Sequence, residues 1–543
     1  MQDSLQLFPA QNGTISARVT LPDKTVRHIH STVDPSIEAK YFENLVFWGD
    51  CIVFAGFGLG YHLERKLKSI PTKSILVVIE YYDELIARCK NLFSGLSNKI
   101  VFISASTDNA AISSLLREYA PQSLQIVKHP ASFDINKKFY EPFLAQLFID
   151  KPKHSSTAIQ KQATAIMLYG NFFLEEEVRR ALATNSIEPV LFAYNDYRFI
   201  VHYEDKLMRL IQEKRPSFVI SINMKGFDGN TALADITERF GVPVVVWFVD
   251  DPRPIVMHKR RAIKNNMIAL SWEKSYLKFL ENSGFTKAAY LPLASDPALF
   301  SPAAAAIRPS VSLGFVGTAM VDAFAGKIQE KFLWSDCLEP LVEPASDMLL
   351  SNPLYPVENS LDNLAQKLSV KLPFTDEKNR TWLCAYIIHL ASMKKRKRVI
   401  TGLLDLGLEL FGDPKGWRHL LGPRATVHPN IDYRKSLRNV YAKICINVNI
   451  TSCQMPSAVN QRVFDIPMAG SFVISDDQKD LRELFDVPKE AIIYENLNDL
   501  RKKIAWYLAH EKERTAIIAA ARERIKKEHL YVHRIKAILE MLK

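Results

Sequence analysis

The run INVNITSCQMPSAVNQRVFDIPMAGSFVISDDQKDLRELF, residues 446–485, holds two apolar, β-branched segments, INVNI and GSFVISD, on either side of a polar stretch carrying Arg462, Asp465 and Gly470. Short apolar runs of this kind read as buried strands. Arg462 and Asp465 are three residues apart and share one face if the segment carrying them is helical.

The same alternation recurs outward from this run. PSVSLGFVGTAM (309–320) is a strand closed by a Gly317-Thr318 turn, followed by a helical insert over 320–395. GLELFGDPKGW and ATVHPNIDYRKSLRNVYAKICINVNI continue the pattern, and the C-terminal 50 residues are strongly helical, with no proline after Pro488. Upstream, AIMLYGNFFLEEEVRRALATNSIEPVLFAY, RPSFVISINMKGFDGNTALADITERFGVPVVVWFVDDPRP and MIALSWEKSYLKFLENSGFTKAAYLPLASDPALFSP give a second series of strands and helices over 165–308. Strands of this type alternating with amphipathic helices imply parallel sheets covered on both faces. Ligands of such sheets lie beyond the carboxyl ends of the strands, which singles out Gly170, Asn171, Asn223, Asp250 and Asp251. Two doubly wound domains in series, 165–308 and 309–543, describe the GT-B arrangement. DKPKHSSTAIQKQAT, from residue 150, reads as the linker before them.

Residues 1–150 form a third, Rossmann-like block. CIVFAGFGLGYHLERKL passes from strand through a Gly-rich turn into a helix, and Glu80 closes the next strand 20 residues after Gly60. Neither well-known cofactor fingerprint is complete. A GxGxxG begun at Gly56 and Gly58 has Tyr61 for its third glycine, and Phe54 stands where a methyltransferase-like turn carries an acid. A domain without cofactor is the reading taken; an S-adenosylmethionine-dependent methyltransferase module, built on Gly56, Gly58, Gly60 and Glu80, is the alternative.

Composition narrows the function classes. The 543 residues are 48% hydrophobic and 24% charged, with a net charge of +11. No apolar run is long enough to span a bilayer, and the N-terminus lacks a signal-peptide pattern, so a cytoplasmic protein is expected. The six cysteines show no metal or disulfide spacing. The positive charge is spread along the chain, with its densest cluster KKRKR at 394–398 read as a solvated helix face. No nucleic-acid-binding motif is present. The charge suits an anionic ligand or peripheral contact with a membrane surface.

The motifs HPNIDYRKSLRNVYAKICINVNIT, NQRVFDIPMAGSFVISD and ELF…AIIYENLNDLRKKIAWYLAHEKERTAIIAAARERI resemble the CgeB-like (spore maturation protein type) glycosyltransferase domain. SINMKGFD, GVPVVVWFVDDPRP and YLPLASDPALFSP resemble the domain that often precedes it; together the likeness covers about 165–543. Some 40 residues around the Gly-rich turn resemble motility accessory factor proteins, which glycosylate flagellin. The resemblance implies a GT-B hexosyltransferase-type enzyme that moves a sugar from a nucleotide-sugar donor, a UDP-sugar foremost, to an acceptor hydroxyl. It implies neither cofactor nor metal, and an acceptor that is protein, flagellin included, or a polysaccharide or lipid-linked glycan. A non-catalytic binding protein on the same frame is a further alternative.

Retaining GT-B enzymes commonly carry E-x7-E, the second acid binding the donor ribose five residues before a glycine. Asp465 precedes Gly470 by that spacing, whereas Ser457 replaces the first acid. Arg462 and Asn460 are then donor ligands, with Arg462 on the diphosphate. Gly317 and Thr318 allow close backbone approach to a phosphate, and His428 and Asn430 stand where base contacts occur. An Arg462–Asp465 surface ion pair and a simple tight turn are the plainer alternatives. Asp250 or Asp251 is the candidate base or sugar ligand, against a turn-forming DDP. Gly170, Asn171 and Asn223 fall on the acceptor side.

Overall fold

The computed structural model describes residues 3–43, 45–107, 124–149, 163–194, 200–227, 231–302, 307–321, 336–374 and 376–543. Most of the expected linker (150–162) and the start of the expected insert (322–335) lie outside them. The α/β class holds: an N-terminal hairpin sheet is antiparallel, whereas the strands that pair Cys51 with Ile75, Val244 with Met267, Gly314 with Glu409 and Ile446 with Phe472 run parallel. The chain divides into two compact units, residues 1–166, 190–219 and 230–242 in one and the remainder in the other.

The first unit opens with β1 (Ser4–Pro9), β2 (Ile15–Thr20) and β3 (Val26–His28) in one antiparallel sheet. β4 (Cys51–Ala55), β5 (Ile75–Ile79), β6 (Ile100–Ile103) and β7 (Leu124–Lys128) make a parallel sheet of order β6-β5-β4-β7. The compact units do not follow a cut at residue 150, because the helix Ile200–Lys214 packs on this sheet. Gln212 binds both the N–H and the C=O of Leu124 (each 3.0 Å), Lys128 pairs with Glu204 (2.6 Å), and Trp48 Nε1 donates to Asp205 (3.1 Å).

The Gly-rich turn after β4 is filled from within. Glu80 is fully buried, and its Oε2 accepts the N–H groups of Phe57 (2.7 Å) and Gly58 (2.9 Å), while Oε1 accepts Tyr140 OH (3.0 Å). Leu59 N–H donates to His30 Nε2 (2.7 Å), and a Cβ on Gly58 would lie 2.5 Å from that atom. The amides that a dinucleotide phosphate would take are thus occupied by side chains, and both oxygens of Glu80, the ribose-binding acid of the methyltransferase alternative, are engaged within the turn. His30, Glu38 and His129 cluster beside the turn, with Glu38 Oε2 at 2.8 Å and 3.2 Å from the two rings. Because His30 Nε2 accepts from Leu59, His30 Nδ1 carries the proton toward Glu38. The cluster is a hydrogen-bonded lock, and a cation there would face a protonated nitrogen.

Two six-stranded sheets follow. β8 (Ala163–Tyr169), β9 (Ile187–Ala193), β10 (Phe218–Ile222), β11 (Val244–Phe248), β12 (Met267–Ser271) and β13 (Lys287–Tyr290) are ordered β13-β12-β11-β10-β8-β9. β14 (Val311–Val316), β15 (Glu409–Phe411), β16 (Thr426–His428), β17 (Ile444–Asn449), β18 (Phe472–Asp476) and β19 (Ile492–Tyr494) are ordered β16-β15-β14-β17-β18-β19. Central β18 is buried at every position, as a strand covered by helices on both faces must be. In this sheet the order reverses between β14 and β17, so a crevice opens between Gly317 and Asn449.

Within the second unit the last helix, Tyr531–Met541, returns to the preceding sheet. Arg534 donates to the carbonyls of Pro292 (2.8 Å) and Leu293 (2.9 Å), and Asn185 binds Val532 O (3.0 Å). Helical periodicity revealed this helix but not its destination. Among the described residues no helix is long and apolar enough to cross a membrane.

The lock on the Gly-rich turn has a measurable consequence. Glu80→Ala leaves several buried donors unpaired and is expected to destabilise the chain by at least about 3 kcal/mol in urea unfolding. S-adenosylmethionine at millimolar concentration is expected to leave the melting temperature of the wild-type chain unchanged.

Candidate functional site

A cavity of about 500 Å³ in the second unit is bounded by the C-terminal ends of β14, β15 and β17 and the residues after β8, β11 and β12. Strand ends of both six-stranded sheets thus face one cleft, the GT-B arrangement expected. Of the residues predicted from sequence, Gly317, Thr318, Asn430, Asn460, Arg462, Asp465 and Asp250 line it.

Gly317 and Thr318 leave β14 at the reversal of strand order. Asp413 holds the turn by accepting Ala319 N–H (2.8 Å), and Trp417 Nε1 donates to Gly317 O (2.9 Å). A Cβ on Gly317 would lie 2.9 Å from Arg462 Nη2 and 3.0 Å from the Phe315 ring, so only glycine lets the guanidinium reach this point.

Arg462 begins the helix Arg462–Met468. Asn460 accepts its N–H (3.1 Å), and Asn449, at the end of β17, accepts from both Asn460 Nδ2 (3.0 Å) and Arg462 Nη1 (3.2 Å). Asn460 therefore positions the arginine. Arg462 makes no ion pair with Asp465; it lies over the Phe315 ring at 5.4 Å, and burial pulls its pKa down. Asp465 is 2% exposed, its Oδ1 has no hydrogen-bond partner, and burial pushes its carboxyl well above the usual range.

The reading of KKRKR as a solvated face is corrected at one residue. Arg396 is 6% exposed because it falls on the buried side of the helix Glu377–Thr401, in step with Ile388, Ser392 and Val399. Its Nη1 donates to Thr318 O (2.7 Å), while its Nε has no partner. Burial first and Arg462 second pull its pKa down to about 9. Neighbouring Lys395 pairs with Asp476 (2.6 Å), and Lys394 with Asp347 (2.8 Å). Two guanidiniums thus meet at the crevice, and neither makes an ion pair among the described residues. The signal for Arg396 was its register with the apolar positions of its helix.

Ser457, in place of the expected first acid, meets a carboxylate from elsewhere. Glu273, fully buried after β12, accepts Ser457 N–H (2.9 Å), Ala458 N–H (2.8 Å) and Ser457 Oγ (3.0 Å). Tyr276 OH binds Gln454 O (2.7 Å) alongside. Sequence reasoning passed over Glu273 because its partners lie 184 residues away.

The two adjacent aspartates separate. Asp251 caps the helix Pro252–Lys259 through Arg253 N–H (3.0 Å) and pairs with the Arg253 guanidinium (2.6 Å), and it does not line the cavity. The turn-forming role fits it, and its place among the catalytic candidates is corrected. Asp250 does line the cavity, with Oδ2 accepting from Asn223 Nδ2 (2.8 Å); burial pushes its carboxyl up to about 6.

The other candidates lie off the cavity. His428 stacks on Phe411 (4.2 Å, 7°) and binds Glu409 (2.6 Å), while Gly470, at φ +84°, closes the Arg462–Met468 helix. Gly170 N–H donates to Glu175 (2.8 Å), and Asn171 Oδ1 accepts from Arg434 (2.6 Å). Asn223 acts through Asp250. Asn430, which does line the cavity, accepts Asp413 N–H through Oδ1 (2.8 Å) and holds the far side of the β14 turn.

Residues 389–540 match the model of the family described as glycosyl transferase-like. This stretch contains Arg396, Asn460, Arg462 and Asp465. No curated protein matches the chain. Among solved structures, Anabaena HepE in complex with UDP is similar at 10% identity over 70% of this chain and 99% of that one, TM-score 0.40. Sucrose-phosphate synthase from Thermosynechococcus elongatus is similar at 11% over 70% and 99%, TM-score 0.39. TarM of S. aureus, in complex with fondaparinux, alpha-GlcNAc-glycerol and UDP, is similar at 8% over 91% and 100%, TM-score 0.30. Likeness at this level assigns no residue's role.

Two outcomes follow from the geometry. Asp250 holds a proton in the folded chain that the unfolded chain releases, so it makes stability fall as pH rises from about 4 to about 6. Asp250→Asn should flatten that slope, gaining on wild type at pH 7.5 relative to pH 4.5 in urea unfolding. Gly317→Ala should displace the Arg462 guanidinium and lower the affinity for inorganic pyrophosphate about tenfold, read by calorimetry.

Proposed function

We propose, from the premise that residues 389–540 are a glycosyl transferase-like domain, that this chain transfers a sugar from a nucleotide-sugar donor, a UDP-sugar foremost, to an acceptor hydroxyl. The observation that carries the reading is the meeting of Arg396 and Arg462 at the Gly317-Thr318 turn without an ion pair among the described residues. Two such cations in a sunken crevice match a diphosphate in charge and in bidentate geometry. Asp465, with an unpartnered oxygen on the same cavity, suits the ribose hydroxyls.

The bond that breaks joins the anomeric carbon to the donor's diphosphate oxygen, and the new bond joins that carbon to the acceptor oxygen. The guanidiniums hold the departing charge without a metal. Asp250, with a pKa of about 6, takes the acceptor's proton near neutral pH. Transfer with retention is supported by the family resemblance, with Ser457 in place of the first acid counting against it, and is read from the anomeric configuration of the product by NMR. The short N-terminal likeness to flagellin-modifying proteins supports a protein-associated acceptor, flagellin included, in a cytoplasmic setting, with residues 1–150 in docking. The net positive charge suits a lipid-linked or surface glycan reached at a membrane.

Calorimetry with UDP tests the central reading. Arg462→Met is expected to weaken UDP binding by about thirtyfold, on the order of 2 kcal/mol, without lowering the melting temperature of the unliganded chain, since it relieves a like-charge contact. Unchanged UDP affinity in this variant contradicts the assignment.

A further inference from the structure

The wall of the cavity opposite the guanidiniums has its own chemistry. It comes from the first six-stranded sheet and carries Phe173, Asp250 and Trp272, with Tyr433 beside them. Trp272 is 5% exposed, and its indole N–H has no hydrogen-bond partner among the described residues. A buried donor left unpaired costs about 1–3 kcal/mol, so buried indoles find partners. Trp48 Nε1 reaches Asp205 (3.1 Å), Trp247 Nε1 reaches Leu291 O (3.1 Å), and Trp417 Nε1 reaches Gly317 O (2.9 Å). Trp382 shares the unpartnered state but does not line the cavity.

The backbone of Trp272 is pinned. Its N–H donates to Phe248 O (3.2 Å), the next residue is the clamped Glu273, and Tyr276 is tied to Gln454 (2.7 Å). β11 and β12 are paired in parallel, Phe248 opposite Ser271, so Asp250 and Trp272 leave neighbouring strand ends. The wall therefore offers one donor and one acceptor from adjacent strands, with the rings of Phe173 and Tyr433 in edge-to-face contact at 5.2 Å.

We infer that this wall is a saccharide subsite, in which Trp272 N–H donates to a hydroxyl of the acceptor sugar and Asp250 accepts from one. Sugar hydroxyls both give and take hydrogen bonds, and a pyranose presents an apolar C–H face to flat rings; a serine or threonine side chain offers one hydroxyl and no such face. The inference rests on the donor reading above and selects the acceptor class within it. The same chemistry serves a free glycan, a lipid-linked one or a sugar already carried by a protein.

The test uses the full chain, UDP-sugars as donors, a panel of p-nitrophenyl glycosides and an unglycosylated Ser/Thr peptide as acceptors. Trp272→Phe keeps a ring and removes the N–H. It is expected to raise the glycoside KM by about fivefold to tenfold, to hold kcat within twofold and to leave the UDP Kd unchanged. Saturation-transfer NMR on the wild-type chain, with aromatic protons irradiated, should mark the ring protons of the same glycoside in the presence of UDP, whatever the folding of the variant. Transfer to the peptide but to no glycoside overturns the inference, as does a Trp272→Phe enzyme with wild-type glycoside KM or an absence of saturation transfer. Failure of the wild-type chain to bind UDP at all overturns the donor reading instead.

Discussion

Two guanidiniums held together with no ion-pair partner among the described residues set the character of the crevice in the second unit. Arg396 comes from a 25-residue helix and Arg462 from a seven-residue one; burial pulls the pKa of both down, and at Arg396 the charge of Arg462 adds to it. An unpaired guanidinium in a low-dielectric crevice is costly, and the arrangement persists because the surroundings leave it no alternative. Gly317 makes the room, Asn449 and Asn460 fix one fork, and Thr318 O fixes the other. Natural sites of this kind give up stability in the empty state for a charge distribution completed by the ligand.

Around that pair, the cleft is kept in register by contacts from the preceding sheet. Glu273 satisfies three donors of the 457–458 loop, Tyr276 ties the 454 carbonyl, and Arg534 on the last helix binds carbonyls beyond β13. The acid absent at Ser457 is thus delivered through space by Glu273, with its oxygens directed at the loop. Such a carboxylate holds the loop that bears Gln454 and Met455 against the cavity. It shapes the site without exposing an oxygen to it.

The first unit solves its turn differently. A Rossmann-type loop has amides in search of an acceptor, and here Glu80 and His30 supply it from the protein itself. The local motif and the strand order of a nucleotide-binding sheet are present, while the vacancy for a nucleotide phosphate is filled. Fold and function part company at that point, since the fold survives any substitution of ligand by side chain.

The α/β class, the two serial doubly wound sheets and several of the polar residues that line the cavity were legible in the sequence, because strand runs and Gly-containing turns are local signals and the cleft lies at their ends. Gly317 and Asp250 were placed by that logic, and Asn460, Arg462 and Asp465 by the family resemblance. What tertiary structure decided was the pairing of groups remote in sequence. It put Arg396 in the crevice rather than in solvent, brought Glu273 to Ser457, gave Asp251 to Arg253 and left Asp250 for the cavity, and sent the last helix back to the preceding sheet. Periodicity shows which face of a helix is buried but not what it is buried against. A charge in an apolar register therefore reads as solvated until the opposing element is in place.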